Sequence, residues 1–544
     1  MGVVKAPPHD GGARLRHTAI VVLVGILVGG SVLAYILTVP SPPIGTVFPP
    51  PIGGVNATLT RVTGPPVDLA AGRLGVNVRA DVPLTASTAN VLNATDVRMV
   101  RWPGGGLGDR FDPIANEGAG LIYASNGSAV APATTFAGFA SWCRTVGCDA
   151  IVTLPAEVDN ASLAAAIVQY SLTSLHFRPA YWELGDEPAL WDHFAIPWTA
   201  WSATQTSGTT PQGFAQLVQA YVAAIRGVDP TTPIVGIGGV GVGGSQPAWI
   251  EDDVATNGPN LSAVAIHVYP SGTISGPTPL TTWFSALQGS TSLPSRVNAT
   301  IQDVTGSCST CNVSVLVDEF ATGTGVPPGD GLTGGYLASY VGAELVQSIP
   351  LDIRTLAYYD LQSGTPGAWL STSGTPSATY TLYQDWAQRL GTFAAPLGVT
   401  SSASGLLAAL GGNASTALDD LILVNSNSTV TFRLDLAQTF ASASSASVEG
   451  WNGPDPGPTS LSWGTQAAAN FTLAPMSLAI FTDMGALVLP MADRPAGASV
   501  TIPAACAAAD PPQVPPPTLP AGWSVTASMA VPERPTIPVA GPWR

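Results

Sequence analysis

Between residues 73 and 360, short β-branched runs alternate with helical stretches, and this alternation constrains the fold more than any other feature of the chain. RLGVNV (73–78), VRMVRW (97–102), DAIVTL (149–154), AYWELG (180–185), PIVGIGGV (233–240), AVAIHVY (263–269), SVLVDEF (314–320) and RTLAYYD (354–360) have strand length and strand composition. Between them FAGFASWCRTV (136–146), SLAAAIVQYSLTSL (162–175), GFAQLVQAYVAAIRGV (213–228) and GGYLASYVGAELVQSI (334–349) carry apolar residues at helical spacing. Strands joined through helices run parallel, because a parallel pair needs a long crossover. Eight such units predict an α/β fold, a closed (β/α)8 TIM barrel over residues 67–392, rather than an open doubly wound sheet. A dinucleotide-binding sheet would need a glycine fingerprint after its first strand, and GVNVRADV has none.

After residue 392 the pattern changes. LDDLILVNS, STVTFRLDL, ASVEGW and FTLAPMSLAIFTD are strand-length runs separated by Gly, Ser, Asn and Pro, which predicts a C-terminal antiparallel β-sandwich over 393–486. VNATLTRVT (55–63) can add a strand to it. Residues 487–544 form a Pro/Ala-rich tail.

The N-terminal end carries a different signal. Residues 18–39 are an uncharged apolar run long enough to cross about 30 Å of hydrocarbon as one helix. Lys5, Arg14, Arg16 and His17 precede it, and the next basic residue is Arg61, so residues 1–17 are expected in the cytoplasm and the rest outside. The alternative, a cleaved signal peptide and a secreted protein, requires a shorter apolar core of about 7–15 residues and a small-x-small cleavage site. The Pro-rich segment 40–66 reads as a spacer holding the folded part away from the membrane.

External exposure has separate support. Ten of the sixteen asparagines stand in N-x-S/T: Asn56, Asn93, Asn126, Asn160, Asn260, Asn298, Asn312, Asn413, Asn427 and Asn470, the density of a glycosylated ectodomain. Cys143 with Cys148 and Cys308 with Cys311 are close pairs suited to local disulfides in an oxidising compartment, leaving Cys506 unpaired; a four-cysteine zinc site is the rival reading. Only 10% of residues are charged, 19 basic against 35 acidic, and Lys5 is the sole lysine. Nucleic-acid binding, which needs clustered cations to displace counterions, is thereby excluded. Disorder of the whole chain does not fit a mean hydropathy of +0.29.

In a TIM barrel the chemistry sits at the C-terminal ends of the strands. There the chain places Arg101-Trp102-Pro103-Gly104-Gly105-Gly106 on the second strand and Trp182-Glu183-Leu184-Gly185-Asp186-Glu187-Pro188 on the fourth. The sixth ends in His267-Val268-Tyr269 and the seventh in Asp318-Glu319-Phe320. Against so sparse a charge background, carboxylates at two strand ends single themselves out. A metallohydrolase would need a His/Asp cluster; the chain has 5 His and no H-x-H or H-E-x-x-H, so no metal or cofactor is expected.

These segments resemble those of glycoside hydrolase clan A, the retaining glycosidases on (β/α)8 barrels. WELGDEP is similar to the clan's W-E-x-G-N-E-P, and RWPGGGLGDRFD resembles the R-x-P-G-G segment of arabinofuranosidase-like and heparanase/β-glucuronidase-like members. AIHVY and VLVDEF match the His-x-Tyr of strand six and the glutamate of strand seven, and LILVN with LAPMSLAIF resembles the appended sandwich. The resemblance spans residues 67–486. It implies Glu187 as general acid/base and Glu319 as nucleophile, acting on a polysaccharide or glycoconjugate. Two carboxyl groups about 5–5.5 Å apart suit that chemistry, one protonating the leaving oxygen while the other attacks the anomeric carbon. Arg101 would keep Glu319 ionised, Tyr269 would orient it, and His267 would contact substrate or the acid/base. Trp102, Tyr358 and Tyr359 are candidate sugar-stacking platforms, with packing the alternative. Arg110 is a candidate partner for a glucuronide carboxylate, or for Asp109 or Asp112.

One position departs from the clan. Its members carry Asn before the acid/base, where the amide donates to the sugar 2-hydroxyl; here Asp186 stands in that place. An ionised Asp only accepts, so the contact reverses or Asp186 is protonated. Two adjacent carboxyls also push one titration upward. The expectation is an enzyme that works in acid. The alternative is a surface protein that binds glycans on a glycosidase-like scaffold without cleaving them.

Overall fold

The computed structural model describes residues 54–487 except 70–71, 96, 124–127, 195–209, 240–246, 273–277, 324–331, 365–366, 416, 456, 462 and 486. The membrane-spanning reading of 18–39, most of the spacer, the tail beyond 487, Cys506 and Asn126 lie outside the described residues. Among the described residues no helix is long and apolar enough to cross a membrane.

Eight parallel strands close a barrel: β1 (Leu74–Asn77), β2 (Met99–Trp102), β3 (Asp149–Leu154), β4 (Tyr181–Leu184), β5 (Ile234–Ile237), β6 (Ala263–Val268), β7 (Ser314–Phe320) and β8 (Thr355–Tyr358). They lie in chain order around the barrel, and β8 closes on β1 through Leu356↔Leu74 and Tyr358↔Val76. Each falls within one of the eight runs of the sequence. Side chains of alternate residues point into the barrel, where Met99, Ile151, Val235, Ala263, Ala265 and Leu316 form its apolar interior. The other parity packs outward under the helices. Pro211–Val228 shows why these segments are helical: Thr210 accepts from the Gly213 N–H, Pro211 opens the first turn, and Phe214, Leu217, Val218, Tyr221, Val222 and Ile225 form one buried stripe.

The C-terminal region departs from the expected antiparallel sandwich. Its strands belong to one ten-stranded sheet, nine of them in a continuous path that includes Val55–Arg61 and the tenth, Val67–Asp68, branching off at Phe393–Ser401. Val55–Arg61 runs antiparallel to Phe393–Ser401 and parallel to Phe432–Leu434, so the sheet is mixed. The reason is connectivity: a tight turn forces its two strands antiparallel, whereas a strand arriving from the far side of the barrel is under no such constraint. The sheet's strand Asp420–Asn425 is buried on both faces. Leu421 and Leu423 of Asp420–Asn425 join Leu59, Phe432 and Phe481 in the domain's own core, while Ile422 and Val424 join Leu478 and Ile480 on the barrel side. There the helix Gly334–Ser348 comes so close that a Cβ on Gly342 would overlap Leu478.

Disulfides link Cys143 to Cys148 and Cys308 to Cys311.

Candidate active site

The carboxyl ends of β1, β2, β4, β6, β7 and β8 deliver one network of ionisable groups. Arg101, on the inward parity of β2, is fully buried and is its centre. Its Nε and Nη2 donate to the two Glu183 oxygens at 2.7 and 2.6 Å, Nη2 also to Asp186 Oδ1 at 2.6 Å, and Nη1 to Glu319 Oε1 at 2.6 Å. Nε lies 3.1 Å from Asp318 Oδ2. Asn77 accepts from Nη1 at 3.1 Å and donates to the Asp318 carbonyl at 2.7 Å, tying β1 to β2 and β7. Burial acts against the guanidinium, but the charges of Glu183 and Asp318 prevail and hold it protonated.

Glu319 has a second partner, the Tyr269 hydroxyl, which donates to Oε2 at 2.7 Å. How β7 presents both Asp318 and Glu319 follows from its register with β6, which passes from Ile266↔Val317 to His267↔Glu319. The extra residue is a bulge that breaks the alternation at the site, a common device where a side chain must be re-aimed.

Glu187 sits just beyond β4 with a left-handed φ of +43°, a strained conformation for a residue with a side chain. Its N–H donates to the Gly238 carbonyl at 2.8 Å. Its Oε1 is 2.8 Å from His267 Nδ1, which also lies 3.4 Å from Glu319 Oε2. The facing oxygens of the two glutamates are therefore no further apart than those two distances laid end to end. A Cβ on Gly239 would overlap the His267 ring, so the second residue after β5 must be glycine for the imidazole to occupy this place. Burial disfavours the imidazolium, yet Glu319, Asp318 and Glu187 drive His267 well above its ordinary range. Burial would likewise raise Glu187, but the hydrogen bond and charge of His267 outweigh it and lower the carboxyl.

Asp186 is raised to about 7, chiefly by burial, with Arg101 and His267 opposing and Glu319 and Glu187 reinforcing. Behind it Asp109, also buried, accepts from the Asp186 N–H at 3.0 Å and from the Trp191 indole at 3.1 Å. The same indole donates to the Asp186 carbonyl at 2.9 Å. Asp109 and Trp191 thus clamp both polar backbone groups of the residue preceding Glu187. Asp186, His267 and Glu319 offer ligand atoms within 4.8 Å of one another, the spacing of a metal site. Arg101 already occupies both of those carboxylates, and a dication there would lie against the guanidinium, so the trio reads as part of the hydrogen-bonded network.

Of the residues the sequence singles out, Arg101, Asp186, Glu187, His267, Tyr269 and Glu319 meet in this network. Tyr359 adjoins it: a Cβ on Gly105, at φ +56°, would lie 2.8 Å from its hydroxyl, and Arg79 donates to that hydroxyl at 3.2 Å. Trp102 and Tyr358 are corrections. Trp102 is 1% exposed and stacks between Phe136 and Phe139 at ring-centroid distances of 5.2 and 4.9 Å. Tyr358 is fully buried, donates to the Gly367 carbonyl and packs on Phe320 and Tyr383. Neither offers a face to a sugar. Asn77, Glu183, Asp318, Asp109 and Trp191 are members that motif reading misses. Strand parity would have found Glu183, which has the inward parity of β4.

No protein-family model matches this chain, and no curated protein matches it. Solved structures do. A GH51 arabinofuranosidase from Xanthomonas axonopodis pv. citri superposes with a TM-score of 0.58 at 14% identity, over 79% of this chain and 99% of that one. A family 51 α-L-arabinofuranosidase from Bifidobacterium longum gives 0.60 at 13%, over 78% and 99%. A 4-O-α-L-rhamnosyl-β-D-glucuronidase from Fusarium oxysporum gives 0.56 at 16%, over 79% and 99%. At such identities the likeness is one of fold: a clan A glycosidase-like barrel with an appended β domain.

Proposed function

We propose that this protein is a retaining O-glycosidase, with Glu187 as acid/base and Glu319 as nucleophile. The observation that carries the reading is the single imidazole nitrogen within 2.8 and 3.4 Å of the two glutamates. The bound it sets on their facing oxygens keeps the two carboxyl groups close and accommodates the roughly 5–5.5 Å of retaining enzymes. That all three neighbours above are named as glycosidases supports the same reaction class.

In the first step Glu319 attacks the anomeric carbon while the bond to the leaving oxygen breaks and Glu187 gives that oxygen its proton. In the second, Glu187 takes a proton from water, the water oxygen bonds to the anomeric carbon, and Glu319 departs. Arg101 and Tyr269 aim Glu319 at the carbon and hold its charge. Asp186 replaces an amide donor only when protonated, which its position near 7 allows below neutrality. Glu187 must also carry a proton, and His267 restricts that form to acid. The reading is therefore of an acid-active enzyme; a pH–rate profile peaking above about 6 would count against it.

The apolar run 18–39, the basic residues before it and the sequon density support a single-pass, N-in anchor with the barrel outside the cell, acting on polysaccharide or glycoconjugate. Carbonate extraction and external protease treatment of intact cells test that placement. For the chemistry, arabinofuranosides, xylosides, glucosides and glucuronides, with a natural polysaccharide panel, are offered to the wild type and to Glu319→Ala. Indistinguishable results on every substrate sink the enzyme reading, and a 2-fluoroglycoside trapped on Glu319 identifies the nucleophile.

A further inference from the structure

The catalytic face of the barrel is far more acidic than the chain as a whole. Among the described residues, the eight connections that leave the carboxyl ends of the strands, each counted to the start of the next long helix, contain nine carboxylates and two arginines. The described residues of the connections entering β2 to β8 at the opposite face hold two carboxylates and three arginines, so the excess belongs to the site and not to the fold in general.

Both arginines of the catalytic face are engaged. Arg79 donates through Nε and Nη2 to the two Asp81 oxygens at 2.9 and 2.6 Å, and through Nη1 to Tyr359. Arg110 folds back to the Gly106 carbonyl, its Nε 2.9 Å from that oxygen. Deeper in, Arg101 faces four carboxylates and His267 lies between Glu187 and Glu319. Recognition of a sugar carboxylate or sulfate calls for a cation whose donors point at the ligand, best as a bidentate arginine. Among the described residues of this face each arginine already donates within the protein, Arg79 through all three of its nitrogens and Arg110 through Nε. An anionic sugar entering here would lose its hydration and meet like charge within a Debye length of about 10 Å.

We propose that the glycan this site takes is neutral, its sugars free of carboxylate, sulfate and phosphate on either side of the scissile bond. The proposal rests on the glycosidase reading above and narrows it: Arg110 is not a uronate receptor, and the charge distribution favours pentosides and hexosides over uronides.

Matched pairs that differ only in charge test this. The full chain is assayed on 4-nitrophenyl glucoside against glucuronide and galactoside against galacturonide. Glu319→Gln is titrated with polygalacturonate and with the same polymer after carboxyl reduction, at about pH 8, where Asp186 and Asp360 are ionised, and at low ionic strength. The neutral member of each responding pair is expected to be favoured about tenfold or more, with the margin narrowing as salt is added. A uronide hydrolysed as fast as its neutral partner, or polygalacturonate bound as tightly as its reduced form, overturns the proposal while leaving the glycosidase reading in place. Preferential binding of the reduced polymer with no hydrolysis of any substrate upholds the proposal and removes the glycosidase. Absence of binding to both polymers together with absence of turnover of every glycoside overturns both.

Discussion

His267 Nδ1 stands 2.8 Å from Glu187 Oε1, and this hydrogen bond couples the proton of one side chain to that of the other. Burial works against both charged forms, but together with Glu319 and Asp318 the pair settles with the imidazole raised and the carboxyl lowered. In His267→Gln the positive charge of the imidazole is gone and burial acts on Glu187 against the charge of Arg101 only, so its carboxyl rises and holds its proton to higher pH. The alkaline limb of kcat/KM is expected to move up by about one pH unit or more, even if kcat falls. A limb that stays in place would detach His267 from the acid.

Asp186 gives a complementary experiment. Its carboxyl, raised to about 7, acts as a donor below that pH and loses the ability above it. Asp186→Asn supplies an amide donor at every pH. The variant is expected to stay within about tenfold of wild type at pH 5, with its activity relative to wild type climbing as pH passes 7. A ratio that is flat from pH 5 to 8 would show that Asp186 is not a proton-gated donor.

The eight strands and most of this network are legible in the sequence because strand composition and strand-end chemistry are local signals. What motif reading gets wrong has one physical cause. Trp102 and Tyr358 adjoin inward-facing residues, Arg101 and Tyr359, but the side-chain period of a strand is two, so each neighbour points to the helical layer. The same rule recovers Glu183 and Asn77 as inward positions. It fails at Asp318 and Glu319, where the bulge in β7 brings consecutive carboxylates to the site, and only the register with β6 reveals that. The parallel pairing of Val55–Arg61 is likewise invisible locally, since nothing between residues 61 and 432 fixes the direction in which two remote strands meet.

Arg101 should be as important to stability as to catalysis. It is fully buried and compensates four carboxylates, so Arg101→Met leaves these charges in the interior with His267 alone as counter-ion. A loss of about 3–5 kcal/mol is expected near pH 7. At pH 4 the orphaned carboxyls can take up protons, and the loss should shrink. Urea midpoints of wild type and variant at the two pH values measure the difference; equal losses at both would mean that packing, not charge, is what Arg101 supplies.

Glu344 takes no part in this network and ties the stability of the fold itself to acid. It projects from the helix Gly334–Ser348 and is fully buried, with no hydrogen-bond partner on either oxygen, and electrostatically it influences Tyr340, Tyr358 and Tyr383. Burial pushes its carboxyl well above the ordinary range. The folded state therefore keeps a proton that the unfolded chain releases near pH 4.3. The consequence has a definite sign: stability is full below that value and declines as pH rises toward the folded-state titration, the reverse of a salt-bridged carboxylate. Buried Asp253, raised to about 7 by burial although it accepts from the Ile237 N–H and from Asn257, contributes in the same direction. Glu344→Met removes the ionisable group and its desolvation while roughly conserving volume. The variant is expected to match wild type at pH 4 and to exceed it by about 1–3 kcal/mol at pH 7, with a shallower dependence of the urea midpoint on pH. A variant that loses stability equally at both values would show that the carboxylic acid itself, and not the side chain's bulk, is required at the junction of barrel and sheet.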